Sequence, residues 1–384
     1  MSKVSVESKL PAVGTSIFTV MSTLAREHKA LNLSQGFPNF SADPALLKLV
    51  EKAMFDHHNQ YAPSSGYLPL REEIARLIAD LHGAEYDPQA EITVTSGATE
   101  ALFCAITALI GEGDEVIVFE PAFDSYVPAI ELNGGIPVYI PLEYPSYTIN
   151  WEMVKKVVNS RTRMIILNSP HNPTGSALSD ADMQELARIV GENKIVILSD
   201  EVYEHMIFDG QEHHSIVRYP ELAEQSFVIS SFGKTFHTTG WKVGYCVAPE
   251  YLSHEFRKVH QFITFSTSTP FQVAIAAYMQ QHRDKVLGLN DFYQEKRDAF
   301  TAMVAGSRFR VLPNRGTYFQ LLSYAPISEA SDVEFARQMT VEHGLASIPV
   351  SVFYHSHEDN KVLRFCFAKE KATLERAAEI LHRI

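Results

Sequence analysis

Hydrophobic positions in the middle of the chain follow two alternating patterns. Short apolar runs rich in β-branched residues alternate with longer segments whose apolar residues recur every three or four positions. This alternation is typical of largely parallel strands joined by helices that cover both faces of a sheet. Strands are predicted at 92–95, 116–119, 164–168, 195–199, 227–230 and 243–247. Helices are predicted at 99–110, 123–133, 151–159, 180–192 and 249–261.

The last predicted strand of this sheet, 243–247, follows 227–230 too closely for a helical crossover, so it is expected to be antiparallel. Upstream, Asp43 and Pro44 mark the N-cap and first turn of a helix. The remaining elements are helices at 18–27, 44–57, 70–82, 289–305 and 332–343, strands at 310–313, 316–322 and 362–368, and a terminal helix.

The whole pattern predicts an α/β protein with two domains. A large domain at 44–269 carries a mostly parallel mixed sheet covered by helices on both faces. A smaller α+β domain spans 270–384, and residues 1–43 form an N-terminal arm and part of the small domain.

Composition narrows the classes of function. The chain has 384 residues and a formal net charge of -13, which disfavours nucleic acid or an anionic membrane as a partner. Its three cysteines are far apart and form no CxxC pair, so neither a disulfide framework nor a cysteine zinc site is expected. No signal peptide and no apolar run of about 18 residues is present, so we expect a cytoplasmic protein without a membrane span.

Polar and charged groups follow the predicted strands at the edge where open α/β sheets bind ligands. Gly97 begins a helix after the first strand, where free backbone N–H groups favour a phosphate, and Lys234 follows the strand at 227–230. A desolvated lysine can act as a nucleophile toward carbonyl carbon. Between these two lie an aromatic ring, an amide and an acid next to a phenol: Phe123, Asn172, Asp200 and Tyr203.

Each of these residues also has an ordinary structural interpretation, such as an N-cap, a core ring or a solvated lysine. Their ordered occurrence at five consecutive strand ends nevertheless suits one ligand, a phosphorylated pyridine aldehyde. That ligand needs a lysine for covalent attachment, an acid to keep the ring nitrogen protonated, donors to the ring oxygen and an anion site.

The sequence resembles the class I/II aminotransferases of the fold type I pyridoxal-phosphate enzymes along nearly its whole length. The resemblance rests on Asn-Pro-Thr-Gly at 172–175, Ser-Asp-Glu-Val-Tyr at 199–203 and Ser-Phe-Gly-Lys-Thr-Phe-His-Thr-Thr-Gly-Trp-Lys-Val-Gly-Tyr at 231–245. It implies pyridoxal 5′-phosphate as cofactor, bound by the large domain, with Lys234 as the Schiff-base lysine and Asp200 as the partner of the pyridine nitrogen. Tyr203 and Asn172 would hydrogen-bond the ring oxygen, and Phe123 would stack on the ring.

The same resemblance assigns the phosphate site and the substrate site. Backbone N–H groups of Ala98 and Thr99 would hold the phosphate beside Gly97, with side-chain contacts from Ser231 and Lys242. Many relatives carry arginine where Lys242 stands, and lysine offers a point charge instead of a planar fork. The resemblance further implies that Arg364 binds the substrate α-carboxylate and that Asn172 and the closing loop at Gly36 also contact the substrate. It also implies a homodimer with shared active sites, in which Tyr61 reaches the neighbouring subunit's phosphate.

The branch that the motifs at 34–40 and 233–242 resemble includes kynurenine, glutamine–phenylpyruvate and methionine aminotransferases. These enzymes take neutral side chains, which Phe37, Phe40 and Tyr61 would suit. We therefore expect transfer of an amino group to a 2-oxo acid, with methionine the favoured donor and aromatic amino acids next. A pyridoxal-phosphate β-lyase acting on cysteine S-conjugates or cystathionine, a kynurenine- or glutamine-preferring aminotransferase, and a cofactor-binding regulator remain alternatives.

Other motifs in the chain predict less. Ser231 and Lys234 match Ser-x-x-Lys of penicillin-recognising enzymes, but the accompanying Ser-Asp-Asn and Lys-Thr-Gly motifs are missing. Gly-Lys-Thr at 233–235 lacks the first glycine of a phosphate-binding P-loop. The histidine pairs at 213–214 and 355–357 fit no metal motif, so no metal is expected.

Overall fold

A computed structural model describes residues 6–384. Within this range the backbone forms thirteen strands. They are β1 (Leu31–Asn32), β2 (Ile92–Thr95), β3 (Glu115–Glu120), β4 (Ile136–Pro141), β5 (Thr162–Asn168), β6 (Val196–Asp200), β7 (Ser226–Ser231), β8 (Gly244–Val247), β9 (Arg310–Val311), β10 (Phe319–Ser323), β11 (Leu345–Ala346), β12 (Ile348–Pro349) and β13 (Val362–Cys366).

Fifteen α-helices accompany these strands in the same range. They are α1 (Ile17–Glu27), α2 (Pro44–Phe55), α3 (Leu68–His82), α4 (Ala98–Leu109), α5 (Tyr126–Leu132), α6 (Trp151–Val157), α7 (Asp180–Gly191), α8 (Pro220–Ala223), α9 (Phe232–Thr235), α10 (Glu250–Ile263), α11 (Thr269–Gln281), α12 (Arg283–Leu287), α13 (Leu289–Val304), α14 (Asp332–Gln338) and α15 (Lys371–Leu381). A π-helical turn, Met339–His343, extends α14.

The central sheet has seven strands in the order β2-β8-β7-β6-β5-β3-β4. Pairing is parallel from β7 to β4, and β8 is antiparallel to both of its neighbours. The predicted α/β fold with a mostly parallel mixed sheet is therefore confirmed, as is the antiparallel strand at 243–247. Every residue of β3, β6 and β7 is buried, which is why these strands are apolar without alternation.

Helix boundaries follow local sequence signals. The side chain of Asp43 accepts the backbone N–H of Ala45 and caps α2, as predicted. Ser179 and Asp182 form a reciprocal capping box at the start of α7. In α3 the buried face includes the predicted apolar positions Leu70, Ile74, Leu77 and Ile78.

The C-terminal part of the chain builds a second, four-stranded sheet in the order β12-β13-β10-β9, antiparallel throughout. Strand β1 pairs in parallel with β11, which attaches the N-terminal segment to this part of the protein. Helix α11 packs against α2 and α3 beside the central sheet. The domain limits at 43/44 and 269/270 stay predictions.

Several elements differ from the sequence expectation, and strand β4 and helix α5 are two of them. Strand β4 was not predicted, because it lies at the edge of the sheet, is only partly buried and contains Pro137 and Pro141. Helix α5 begins at Tyr126 instead of residue 123, since the preceding residues form a turn. Among residues 6–384, no helix combines the length and apolar character needed to cross a bilayer.

Candidate active site

The carboxyl ends of β5, β6 and β7 and the first turn of α4 surround a cavity of about 180 Å³. It lies at the edge of the sheet where the predicted groups were expected to meet. Its lining contains the predicted residues Gly97, Ala98, Thr99, Phe123, Asn172, Asp200, Tyr203, Ser231, Lys234 and Lys242.

One end of the cavity is suited to an anion. Gly97 has a φ of 80°, a conformation that favours glycine, and a Cβ there would crowd Nζ of Lys242 at 3.2 Å. The residue after it opens α4, whose twelve residues direct their dipole and free N–H groups toward the same place. Ser231 lies at the end of β7 beside them. This end can therefore hold a phosphate.

Asp200 ends β6 and is 3% exposed. Burial raises the pKa of its carboxyl to about 6, against hydrogen bonds that act in the opposite direction. The hydroxyl of Tyr126 donates to Oδ2 at 2.6 Å, and the N–H of Val202 donates to Oδ1 at 3.3 Å. Asp200 forms no salt bridge within residues 6–384, so its charge is free to face a cation in the cavity.

Lys234 projects from the short helix α9 toward the small sheet. Its amine donates to the hydroxyl of Tyr318 at 2.9 Å and to the carbonyl of Gly36 at 3.3 Å. Burial lowers the pKa of this amine to about 8. A larger fraction is therefore neutral near physiological pH than for a solvated lysine, which favours nucleophilic and basic chemistry.

Arg364 lies in β13, between β12 and β10, and is 1% exposed. On pattern alone it would pass for a surface charge on an edge strand, and that interpretation is wrong, because β13 is an inner strand and the side chain is buried. Nη1 donates to Oδ1 of Asn172 at 2.8 Å, and Nη2 donates to the carbonyl of Ser34 at 3.0 Å. The guanidinium lies 3.9 Å from the ring centre of Phe319. Asn172 thus joins the arginine to the cavity.

The loop at Gly36 contacts the cavity through its backbone, since the carbonyl of Gly36 accepts from Lys234. Phe37 is half exposed, Phe40 packs against His237 and Phe292, and neither lines the cavity, so their contact with the substrate stays a prediction. Tyr61 is 80% exposed and lies outside the cavity.

The structure adds two tyrosines that were not selected from the sequence. Tyr126 hydrogen-bonds Asp200, and Tyr318 hydrogen-bonds Lys234 and the carbonyl of Gly36. Tyr126 lies three residues after Phe123, so its place in the motif after β3 was a usable signal. Tyr318 precedes β10 in the four-stranded sheet, and no local pattern connects it to Lys234.

Comparison with known proteins decides the family. The model of the family "Aminotransferase class I and II" matches residues 28–381. The chain belongs to this family.

Relatives of this aminotransferase agree in sequence and structure. A methionine aminotransferase of Escherichia coli K12 is 47% identical over 98% of both chains, and a solved E. coli structure described as a methionine aminotransferase superposes with a TM-score of 0.98 over 100% of both chains. A kynurenine–oxoglutarate transaminase of Dictyostelium discoideum is 35% identical, covering 96% of this chain and 94% of the other. An aspartate aminotransferase of Thermus thermophilus, 26% identical, covers 99% of this chain and 100% of its own with a TM-score of 0.90.

The cofactor of this aminotransferase is pyridoxal 5′-phosphate, as the resemblance implied. The site fits that group: Gly97 at the anion end has a positive φ and a Cβ there would crowd Lys242, Asp200 is a buried acid whose pKa is raised by burial, and Lys234 has a lowered pKa. Within residues 6–384, only Glu100, Cys104 and His260 group as metal-ligand types, and they lie outside the cavity lining.

Proposed function

We propose that this aminotransferase transfers the amino group of methionine to a 2-oxo acid, with aromatic amino acids as secondary donors. The buried guanidinium of Arg364 carries the proposal. Both of its hydrogen-bonded partners, Asn172 and Ser34, are uncharged, and Nε has no partner within residues 6–384. A buried cation with an unpaired donor is costly unless a ligand supplies an anion. The α-carboxylate of an amino acid matches its fork.

The surroundings of Arg364 favour an uncharged substrate side chain. The rings of Phe18, Phe319 and Phe353 lie within 6.0 Å of the guanidinium carbon. Aromatic rings make favourable contacts with the sulfur of a thioether such as methionine. They offer no partner to the second carboxylate of a dicarboxylic amino acid. This agrees with the 47% identity to an E. coli methionine aminotransferase.

Bound pyridoxal phosphate supplies an aldehyde that reacts with amines and a ring that withdraws electrons from the substrate α-carbon. The protein positions the substrate and moves protons. Arg364 would fix the carboxylate, and the free amine of Lys234 would take the proton from the substrate α-carbon and, as its conjugate acid, deliver it to the carbon of the cofactor's aldehyde group. Its pKa of about 8 suits both roles. Asp200 would hold a negative charge for the protonated ring nitrogen, and Asn172 and Tyr203 would donate to the ring oxygen.

The test is the visible absorption spectrum of the purified protein before and after methionine is added without an acceptor. We expect a yellow cofactor band that methionine converts to the aminated cofactor, with release of the 2-oxo acid. Lys234→Ala should bind cofactor without this conversion. A protein that stays colourless after incubation with pyridoxal phosphate would contradict the proposal.

Two related activities have support from the comparisons or the chemistry. Kynurenine–oxoglutarate transaminases are among the relatives at 32–35% identity, so kynurenine is a second donor to test. Ratios of kcat/KM for methionine, phenylalanine and kynurenine rank the donors. A β-lyase would instead release ammonia and pyruvate from a cysteine S-conjugate without any 2-oxo acid acceptor, which product analysis detects.

We further propose a homodimer with shared active sites, in which Tyr61 contacts the phosphate bound by the second copy. Support comes from large apolar side chains that are exposed around Tyr61. The ring of Tyr61 packs edge-on against that of Phe265, with 5.2 Å between ring centres. Phe55 and Phe262, which lie near Tyr61 and Phe265 in the sequence, are 75% and 85% exposed. Such side chains are typical of an interface. Light scattering of the purified protein tests the dimer.

The domain arrangement and location complete the proposal. The cofactor domain would comprise 44–269 and the small domain 270–384, with 1–43 as an N-terminal arm and part of the small domain. The pairing of β1 with β11 supports this, and residues 1–5 lie outside the described range. All three cysteines are buried free thiols, which supports a reducing cytoplasm. Limited proteolysis of the holoenzyme and cell fractionation test these two statements.

A further inference from the structure

His260, in the last turn of α10, is fully buried, and both of its ring nitrogens are paired. Nδ1 lies 2.6 Å from Oε1 of Glu100, in the first turn of α4. Nε2 lies 2.7 Å from the carbonyl oxygen of Ser64, in the loop 61–67 that carries Tyr61. His260 therefore connects the start of α4, which forms the anion site, to the loop 61–67.

The proton positions follow from the partners. A carbonyl oxygen only accepts, so Nε2 of His260 carries a proton. The other oxygen of Glu100, Oε2, accepts the backbone N–H of Ser96, which favours the ionised carboxylate. Nδ1 then also donates, and the pair is an imidazolium and a carboxylate. Burial raises the pKa of Glu100, but the hydrogen bond and charge of His260, together with hydrogen bonds from Ser96 and Thr264, lower the net pKa.

In this arrangement His260 offers no ligand atom to a metal ion, although Cys104 Sγ lies 3.7 Å from the same Glu100 oxygen. Metal binding requires a free lone pair on the imidazole. Both nitrogens of His260 are directed at oxygen acceptors, so the ring has none.

Glu100 holds the turn that forms the anion site. Its hydrogen bond to Ser96 acts on the residue directly before Gly97, and Oγ of Ser96 lies 3.2 Å from Oγ1 of Thr267, just beyond α10. Backbone N–H groups bind a phosphate well only when they converge on one point. The direction of those N–H groups therefore depends on how this turn is held.

We propose that His260 is a positioning residue: through Glu100 it orients the phosphate-binding turn, and through Ser64 it fixes the loop that carries Tyr61. It contacts neither cofactor nor substrate. The first part uses only this chain's own anion site, whereas the second part rests on the proposed role of Tyr61 in the dimer.

The test compares His260→Gln and Glu100→Gln, which keep size but remove the charge pair, with His213→Gln. His213 is a matched control because it is buried and pairs with Glu201 at 2.8 Å, and neither residue lines the cavity. Dissociation constants are measured by absorbance titration of cofactor-free protein with pyridoxal phosphate and with pyridoxal, which lacks the phosphate.

We expect His260→Gln and Glu100→Gln to weaken pyridoxal phosphate binding at least about tenfold, as loss of a hydrogen bond between charged groups implies. Pyridoxal binding should change less than about twofold, because it does not use the anion end. The double variant should be no weaker than the weaker single variant, since both act through one pair. His213→Gln should leave both ligands unaffected.

Equal weakening of both ligands, or an effect of His213→Gln as large as that of His260→Gln, would show a general loss of structure and overturn the proposal. Unchanged binding of pyridoxal phosphate would overturn it too. If His260→Gln does not fold, the same comparison of ligands in Glu100→Gln decides the matter.

A second pair of variants separates the part that depends on the dimer. Tyr61→Phe should weaken pyridoxal phosphate binding, and combining it with His260→Gln should give less than the sum of the two effects in free energy. A silent Tyr61→Phe would refute the proposed phosphate contact of Tyr61 and leave the anion-site result standing. Additive effects would refute only the proposed link from His260 through Ser64 to Tyr61, and not the role of His260 at the anion site.

Discussion

Replacing Asp200 by Asn is expected to stabilise the cofactor-free protein and to abolish its activity. Burial raises the pKa of Asp200 to about 6, against 3.8 for an unperturbed aspartate. The folded state therefore holds this proton more tightly than the unfolded state, and stability falls as pH rises from the lower value to the higher one. Above the folded pKa the whole penalty is present.

The size of the effect follows from the two pKa values. A difference of roughly two units corresponds to about 3 kcal/mol at about pH 7.5 and to about half of that at about pH 5. The amide that replaces the carboxyl in Asp200→Asn cannot ionise, so the variant escapes this cost. Its oxygen can still accept from Tyr126, but its NH₂ group faces the N–H of Val202, a weak contact at 3.3 Å. We therefore expect a gain of about 1 to 3 kcal/mol at about pH 7.5.

Urea unfolding of cofactor-free wild type and Asp200→Asn at these two pH values measures the difference. Asp80→Asn, at an exposed aspartate paired with Arg283, serves as the control and should show little change at either pH. A variant less stable than wild type at about pH 7.5, or a gain of equal size at about pH 5, would contradict the assigned role of burial. Loss of turnover together with a gain in stability would show that the acid is retained for catalysis.

Three further predictions concern the same site. Arg364→Lys should raise the KM for methionine by about tenfold or more, because an ammonium cannot form the paired hydrogen bonds of a guanidinium; steady-state kinetics measure this, and an unchanged KM would argue against carboxylate binding there. Attachment of pyridoxal phosphate to cofactor-free protein should accelerate as pH rises through about 8, where Lys234 becomes neutral; stopped-flow absorbance records it, and a flat profile would contradict the lowered pKa. Gly97→Ala should weaken pyridoxal phosphate binding by at least about tenfold, since its positive φ and the nearby Lys242 disfavour a Cβ; wild-type affinity in a titration would refute this.

Much of the fold could be predicted from the chain alone because its signals are local. Buried parallel strands require apolar residues on both faces, so β3, β5, β6 and β7 appear as continuous apolar runs. Strand β4 could not be recognised in this way, because an edge position relaxes that requirement and tolerates proline.

The candidate site divides in the same manner. Asn172, Asp200 and Lys234 follow strands directly, and parallel strands place such residues at one edge of the sheet. Tyr318 and His260 come from elements that reach the site only when two sheets or several helices pack together. The residues next to Tyr318 and His260 in the sequence form no pattern that predicts the contacts of these two side chains.

The sequence by itself thus determined most strands and helices of the central sheet, most of the residues that line the cavity and the family, since each depends on residues close together or on a whole-chain match. Only the tertiary structure decided which partner each charged group has. It surrounds Arg364 with three aromatic rings and two uncharged acceptors, and it pairs His260 with Glu100 and Ser64. The physical reason is that burial and hydrogen bonding, which set the charge and direction of these groups, depend on distances between segments that lie 160 to 330 residues apart along the chain.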